Sequence, residues 1–171
     1  MLDLVIVNGL PGSGKTTLAK ELAGALDAPL ISKDAIKEAV ADVLSAKAHQ
    51  ALGIASSEMM WTLAAAMSGE VVMESWWFKP RDLRFVEAGL VRCGATSVVE
   101  VWCDVPAQLA KTRYAARDRH WIHNDERQLD DGWPRWEKEA APLGVCPVIT
   151  VVTSGAIALD DLITRIRRAR A

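Results

Sequence analysis

The clearest chemical signal in the sequence is a glycine-rich stretch near the amino terminus, which reads Gly9-Leu10-Pro11-Gly12-Ser13-Gly14-Lys15-Thr16. It fits the phosphate-binding pattern G-x-x-x-x-G-K-[S/T] at every fixed position. Glycines let successive backbone N–H groups turn toward phosphate oxygens, and a following helix directs its unpaired N–H groups at the same anion. Lys15 supplies a positive charge for the β- and γ-phosphates, and the Thr16 hydroxyl is a candidate Mg²⁺ ligand. We therefore predict that this stretch, together with Thr17, binds a nucleotide.

The flanking residues form the elements that must hold this loop in place. The apolar run at 4–7 predicts a buried strand, and apolar residues at spacings of three and four over 18–26 predict a helix. Strands are predicted at 3–8, 29–31, 70–74, 97–102 and 147–152, and helices at 14–26, 33–47, 54–68, 81–92, 106–118 and the carboxyl end. This alternation favours a mostly parallel sheet with helices on both faces, where ligands bind beyond the carboxyl ends of the strands.

Asp34 follows the second predicted strand, in the sequence Ser32-Lys33-Asp34. A carboxylate there lies across the crevice from the phosphate loop, where it is suited to accept a proton from a hydroxyl that attacks the γ-phosphate. Alternatively, Asp34 caps the helix that begins beside it, with Ser32 as a rival cap. Lys37, on the same predicted helix, is a further candidate for contact with the phosphoryl acceptor.

A carboxylate and a cluster of aromatic residues follow the third predicted strand. Glu74 either holds a Mg²⁺-bound water, contacts the acceptor, or faces solvent at the edge of the sheet. Trp76, Trp77 and Phe78 either wall an acceptor pocket by stacking or pack in the core under the next helix. The helix predicted at 54–68 is expected to belong to the core, with Trp61 reaching the acceptor.

Basic residues crowd the helix after the fourth strand. Arg113 and Arg117 are four residues apart and share one helix face, so they are suited to clamp the β- and γ-phosphates, although a solvated helix end is the alternative. The polar, Trp-bearing segment at about 117–136 is predicted to be a lid. The last strand is followed by Thr153-Ser154-Gly155, which either runs alongside an adenine or forms an ordinary turn.

With these elements in this order, the chain resembles the small P-loop kinases. It is most similar to the zeta-toxin and polynucleotide-kinase-like branch often labelled AAA-type, with its gluconate-kinase and chloramphenicol-phosphotransferase relatives. The resemblance covers essentially the whole chain, and the phosphate loop is its most specific part. It implies a three-layer α/β P-loop fold with a five-stranded parallel sheet of order 2-3-1-4-5 and a short lid.

The resemblance also implies roles for individual residues. ATP and Mg²⁺ are the implied cofactors, served by Lys15 and Thr16, and Asp34 corresponds to the base for the acceptor hydroxyl. Arg113 corresponds to a residue that stacks near adenine, and Arg117 to one that reaches the phosphates. Arg81 matches an acceptor contact, as an arginine of the following helix. The family often has Asp where this chain has Glu74, and the metal role at that position stays open.

Composition narrows the class of protein. A length of 171 residues indicates one domain, and 50% hydrophobic residues favour a folded chain. The net charge of −2 argues against a protein that binds nucleic acid through bulk electrostatics. The three cysteines form no C-x-x-C pair, which suits a reducing cytoplasm. No signal peptide or membrane-spanning run is recognisable.

The sequence therefore predicts an ATP-dependent kinase whose acceptor is a small-molecule hydroxyl, such as that of a sugar, a nucleoside or an antibiotic-like compound. Two alternatives stay open. A polynucleotide 5′-hydroxyl kinase needs a basic channel, and a regulatory nucleotide-dependent switch needs no acceptor. A guanine-specific switch is disfavoured because the sequence has no N-K-x-D element. The oligomeric state, monomer or homodimer, is left open.

Overall fold

A single sheet of five parallel strands organises the computed structural model, which describes residues 1–44, 49–123 and 128–170. The strands are β1 (Leu2–Gly9), β2 (Leu30–Ser32), β3 (Gly69–Glu74), β4 (Ser97–Asp104) and β5 (Val148–Val152). Every neighbouring pair is parallel, and the order is β2-β3-β1-β4-β5. The strands predicted from the sequence are all present, and the predicted 2-3-1-4-5 order is confirmed.

Seven α-helices lie within the described residues. They are α1 (Lys15–Ala25), α2 (Lys33–Val43), α3 (His49–Ala65), α4 (Lys79–Cys93), α5 (Ala107–Ala115), α6 (Trp133–Glu139) and α7 (Leu159–Arg170). The helix predicted at 33–47 ends at Val43, and residues 45–48 lie outside the described part. Across the described ranges, none of the helices is both long enough and apolar enough to cross a bilayer.

The sheet is covered on both faces, which explains the nearly continuous apolar character of β1. Val5 and Val7 pack in the core formed with α1 and α7, whereas Leu4 and Ile6 pack in the core formed with α3 and α4. All four are fully buried. Because burial of one such side chain contributes roughly 1.5–3 kcal/mol, β1 is a rigid support for the loop that follows it.

A buried polar network ties the end of β1 to the segment after β3 and to the middle of β4. The Asn8 side chain accepts from the N–H of Trp77 at 3.0 Å and donates to the carboxylate of Glu100 at 3.0 Å. Glu100 also accepts from the N–H groups of Leu143 and Gly144 at 3.0 and 3.2 Å. Asn8 and Glu100 are completely buried, so these bonds satisfy groups that water cannot reach. They hold the residues after β3 against the end of β1.

The segment predicted to be a polar lid contains part of the core. Trp133 is 1% exposed and Trp136 is 7% exposed, and both lie in the short helix α6. The ring of Trp133 lies 5.9 Å from that of Tyr114, and the ring of Trp136 lies 6.0 Å from that of Trp76. A helix of seven residues is too short to show its periodicity in the sequence. Residues 124–127 of the predicted lid lie outside the described residues.

Candidate active site

The phosphate loop lies between β1 and α1 in a conformation that depends on glycine. Gly12 has φ +84°, and a Cβ atom at this position would lie 2.1 Å from the carbonyl oxygen of Ala110. The loop is closed by a hydrogen bond of 2.9 Å from the N–H of Ser13 to the carbonyl of Leu10. Helix α1 begins at Lys15, so the unpaired N–H groups of its first turn border the loop. This is the geometry that cradles phosphate oxygens.

The side chains at the start of α1 face a carboxylate at the end of β3. The hydroxyl of Thr16 donates to Oε1 of Glu74 at 3.2 Å, and the hydroxyl of Ser32 donates to Oε2 at 2.8 Å. Lys15 is 7% exposed. Burial lowers its pKa from the ordinary value, while the carboxylates of Glu74 and Asp34 act in the opposite direction. A cluster of this kind binds the charged end of a nucleotide.

The same oxygen atoms fit a magnesium ion. Glu74 is 2% exposed, and its hydrogen-bond partners among the described residues are two neutral hydroxyls, so its negative charge favours a cation nearby. The oxygen ligands that Mg²⁺ prefers are present in Thr16 and Glu74. Glu74 does not line the cavity where an acceptor would bind. Of its predicted roles, solvent exposure is wrong, whereas acceptor contact and a role beside Mg²⁺ stay predictions, of which the second fits this geometry better.

A cavity of about 570 Å³ beside the phosphate loop is suited to the nucleoside end of a nucleotide. Arg113 lines it, and its guanidinium donates to the carbonyl of Thr153 at 3.3 Å. Thr17 and Gly155 line it as predicted from the sequence, whereas Ser154 does not. Ile157 adds an apolar wall that was not predicted from the sequence, because this residue lies two positions beyond the predicted loop.

A second cavity, of about 170 Å³, lies on the other side of the phosphate loop and is called here the acceptor cavity. Asp34 and Lys15 both line this cavity. Arg117 lines it too, and it also lines the cavity of about 570 Å³ beside the phosphate loop, called here the nucleoside cavity. The other lining side chains comprise Lys33, Lys37, Ser75, Trp76, Arg81, Tyr114, Arg119, His123 and Trp136. Three of the predicted catalytic residues are therefore brought together at the junction of two cavities.

Asp34 also borders a larger and more apolar cavity of about 730 Å³, on the side of α2 that faces Leu63 and Met67. Arg117 lines it as well, but Lys15 does not. Phosphoryl transfer requires the acceptor hydroxyl to meet the phosphate that Lys15 holds. Of the two cavities, the smaller one combines Asp34 with Lys15.

The carboxylate of Asp34 is held by an arginine and stays ionised. Its Oδ2 accepts from Nη2 of Arg119 at 2.7 Å. Burial acts to raise the pKa of Asp34, but the positive charge of Arg119, assisted by His123 and Lys15, outweighs it and holds the pKa below its usual range. Ser32 occupies the N-cap position of α2, and no side-chain cap hydrogen bond forms there. The capping roles considered for Asp34 and Ser32 are thus not adopted.

Helix α2 carries carboxylates at three positions four residues apart, and each one pairs with the chain that follows α5. The pairs are Asp34 with Arg119 at 2.7 Å, Glu38 with His123 at 2.8 Å and Asp42 with His120 at 2.9 Å. Ile122 packs between them, 1% exposed, against Leu52. Residues 117–123 of the predicted lid are therefore paired along α2 and form one side of the acceptor cavity.

The tryptophans predicted to contact the acceptor separate into two groups. Trp76 lines the acceptor cavity. Trp77, 6% exposed, and Trp61, 3% exposed, pack in the core beneath α4, where the indole of Trp61 covers Gly89. The acceptor contacts predicted for Trp61 and Trp77 are therefore wrong. Both side chains are large and apolar, and they pack there with the other apolar residues of this core.

Several residues of the acceptor cavity were not selected as site residues from the sequence. Lys33 and Arg119 carry charge next to residues that were selected, whereas Tyr114, His123 and Trp136 come from elements whose packing the sequence does not reveal. The position of Lys33 directly after a strand end could have identified it as a candidate site residue. Arg81 and Lys37 line the cavity as predicted, and Arg81 also pairs with Asp82 through two hydrogen bonds of 2.7 Å.

A comparison with protein families bears on this arrangement. A family model described as an AAA domain, AAA_33, matches residues 4–137, which include the phosphate loop, Asp34 and Arg117. The chain belongs to this AAA-domain family. Among curated protein sequences, none shows significant similarity to this AAA domain. The resemblance to small P-loop kinases that the sequence indicates is consistent with the family and with the solved structures that share the fold.

Three solved structures illustrate that likeness. A protein from Chloroflexus aurantiacus J-10-fl, provisionally described as a kinase, is 24% identical with a TM-score of 0.78, covering 98% of this chain and 97% of its own. Chaetomium thermophilum Kti12 in complex with ADP-AlF3 is 19% identical with a TM-score of 0.67, covering 98% and 99%. Shikimate kinase from Acinetobacter baumannii in complex with shikimate is 16% identical with a TM-score of 0.59, covering 98% and 92%. At these identities the likeness establishes the fold.

Proposed function

We propose that this AAA domain is an ATP-dependent kinase that transfers the γ-phosphate to a hydroxyl of a small molecule. The observation that carries the proposal is the shared cavity of Asp34 and Lys15. A carboxylate that can orient a hydroxyl therefore lies beside the lysine that would hold the phosphate to be transferred. The kinases among the proteins of the same fold, including a shikimate kinase, support this choice of reaction.

Each residue contributes to positioning and charge rather than to covalent chemistry. Lys15 and Arg117 would bind the phosphates and neutralise the negative charge that spreads over the transferring phosphoryl group. Mg²⁺, held by Thr16 with Glu74 beside it, would supply further positive charge to the phosphate oxygens. Asp34, ionised because of Arg119, would accept a hydrogen bond from the attacking hydroxyl and take its proton late in the transfer.

Aromatic side chains in the wall of the acceptor cavity would help a bound acceptor to exclude water. Trp76, Tyr114 and Trp136 line it, and Tyr114 and Trp136 are buried. Exclusion of water disfavours hydrolysis of ATP in competition with transfer. A cavity of about 170 Å³ suits an acceptor no larger than a small sugar derivative or acid.

The experiment that tests the proposal measures ADP formation from Mg-ATP with a panel of hydroxyl compounds, including sugars, sugar acids, nucleosides and 5′-hydroxyl oligonucleotides. We expect one class of small compound to raise the rate well above the background with water. Phosphorylation of the oligonucleotides with a steep dependence on salt would favour the polynucleotide alternative instead.

A second candidate is a nucleotide-dependent regulatory ATPase without an acceptor. Two observations favour it, the small size of the acceptor cavity and the likeness to Kti12, which was solved with ADP-AlF3. This candidate predicts slow ADP formation that no hydroxyl compound accelerates. The same panel therefore separates the two functions.

A further inference from the structure

The charges around the acceptor cavity are unbalanced. Among the described residues that line it, six side chains are cationic and one, Asp34, carries a carboxylate. The cationic residues are Lys15, Lys33, Lys37, Arg81, Arg117 and Arg119. In the proposed reaction Lys15 and Arg117 are engaged by the phosphates of the nucleotide, so four cations need another explanation.

Three of those four have partners within the protein. Arg119 pairs with Asp34 at 2.7 Å, and Arg81 pairs with Asp82, again at 2.7 Å. Lys37 donates to the carbonyl of Ile122 at 3.3 Å. These contacts hold the three side chains in position around the cavity.

Lys33 differs from these three. It forms no hydrogen bond or ion pair within the part of the chain that the structure describes, although it is only partly exposed. Burial lowers the pKa of its ammonium group and the positive charge of Arg81 lowers it further, against the opposing influence of the carboxylates of Asp82 and Asp34. A partly buried ammonium beside another cation is costly unless an anion accompanies it.

The aromatic wall offers an unused donor on the same cavity. Trp76 lines the cavity, and its indole Nε1 is buried without a hydrogen-bond partner among the described residues. An indole N–H can only donate, so it too is satisfied by an oxygen acceptor. Lys33 and Trp76 thus provide two unsatisfied donors on one small cavity.

We propose that the acceptor carries an anionic oxygen group, a carboxylate or a phosphate ester, which Lys33 binds with Arg81 beside it, while Asp34 receives the hydroxyl. The substrate class is therefore small hydroxy acids and their phosphate counterparts. This inference rests on the proposed kinase function and adds to it the charge of the acceptor.

The topology separates this anion from the phosphates of the nucleotide. Lys33 begins α2 directly after β2, and Arg81 lies in the first turn of α4 after β3. The phosphate loop follows β1, and the nucleoside cavity lies beside the segments that follow β4 and β5. Because the sheet order is β2-β3-β1-β4-β5, Lys33 and Arg81 lie on the side of the loop opposite the nucleoside.

The first test compares acceptors that carry a carboxylate with neutral analogues of similar size. ADP formation is measured with gluconate against glucitol, glycerate against glycerol, and shikimate against its methyl ester. We expect the anionic member to have the higher kcat/KM, by about 10- to 100-fold, because a charge-assisted hydrogen bond contributes free energy of this order. Equal turnover of the neutral and anionic members would overturn the inference and leave the kinase function standing, whereas no acceleration by any member of the wider panel would overturn the kinase function.

The second test uses a probe that does not depend on the identity of the acceptor. Inorganic sulfate is titrated into the protein with Mg²⁺ and the β,γ-imido analogue of ATP bound, so that Lys15 is already engaged. We expect Lys33→Met to weaken sulfate binding about tenfold or more and Lys33→Arg to retain it. Lys138→Met is the matched control, because Lys138 is exposed on α6 and lines none of the cavities described.

Two results would contradict the assignment of Lys33. One is sulfate binding that Lys33→Met leaves unchanged, and the other is no sulfate binding at all. With an active acceptor, the Lys33→Met variant should raise KM for the anionic compound with little change in kcat. Thermal unfolding of each variant verifies the fold, and removal of an unpaired ammonium is not expected to lower stability.

Discussion

The two halves of the candidate active site are built in different ways. The phosphate-facing part of the nucleotide half is one continuous stretch, Gly9 to Thr17, which joins a strand and a helix that are adjacent in sequence. The acceptor half assembles side chains from α2, α4, α5 and α6 and from the residues after β3. A phosphate group makes the same demands wherever it occurs, and a local loop can meet them. An acceptor varies from one enzyme to another, and only the tertiary structure can combine the side chains that recognise it.

This difference predicts different consequences for substitutions in the two halves. Under the proposed kinase function, changes in the nucleotide half should reduce transfer to every acceptor. Changes in the acceptor half should leave nucleotide binding intact and alter transfer to particular acceptors.

The largest effect is expected for Lys15→Ala. The variant loses the charge that the phosphates require, so ATP binding should weaken and turnover should fall by roughly 10³-fold or more. The fold should persist, because removal of a buried ammonium relieves a desolvation cost. Steady-state kinetics and a thermal melt measure the two outcomes. Kinetics equal to those of the wild type would refute the assignment of the phosphate loop.

The next largest effect is expected for Asp34→Asn. The amide retains the size of the side chain but cannot accept the proton, so turnover with the acceptor should fall by about 10²-fold or more. The dissociation constant for ATP should stay close to the wild-type value, in contrast to Lys15→Ala. Calorimetric titration with a nucleotide analogue and acceptor kinetics provide the comparison. A fully active Asp34→Asn enzyme would exclude Asp34 as the base.

A smaller effect is expected for Glu74→Gln. Its carboxylate accepts hydrogen bonds from Thr16 and Ser32, and an amide of the same size would keep the packing while removing the charge. The Mg²⁺ concentration that gives half-maximal rate should rise roughly 10-fold, as for other residues that support a metal ligand. Rates measured over a series of Mg²⁺ concentrations test this. An unchanged requirement for Mg²⁺ would assign Glu74 a structural role alone.

The smallest effect concerns the pH dependence of stability. Burial lowers the pKa of His123 below its ordinary value of 6.5, against the opposing influence of Asp34. The pKa of His123 is lower in the folded protein than the 6.5 of the unfolded chain, so between these two values the unfolded chain binds more protons. The stability that comes from this group is therefore present above pH 6.5 and is lost as the pH falls below it. His123→Gln should flatten that part of the profile of unfolding free energy against pH. Identical profiles for the variant and the wild type would show that His123 does not contribute.

The sequence predicted well wherever a signal was local. The apolar run of β1, the loop pattern and the position of Asp34 after a strand all depend on residues within a few positions of one another. The helix α6 was missed because two buried tryptophans in seven residues do not produce a recognisable period. A carboxylate inside an apolar strand, such as Glu100, indicates that hydrogen-bond partners must lie nearby. The sequence does not identify those partners, because they are Asn8 and the N–H groups of a distant loop.

The sequence by itself determined the class of fold and the position of the phosphate loop, and it singled out Lys15, Thr16, Asp34 and Arg117 as candidates, because each of these follows from spacing along the chain. The tertiary structure decided which tryptophan lines the acceptor cavity. Trp76 and Trp77 are neighbours in the sequence, yet one lines the cavity and the other lies in the core. It also decided that Lys33 has no hydrogen-bond or ion-pair partner among the described residues and that Arg119 pairs with Asp34. These outcomes depend on how strand ends and helices that are distant in sequence pack around one cavity. No pattern along the chain predicts that packing.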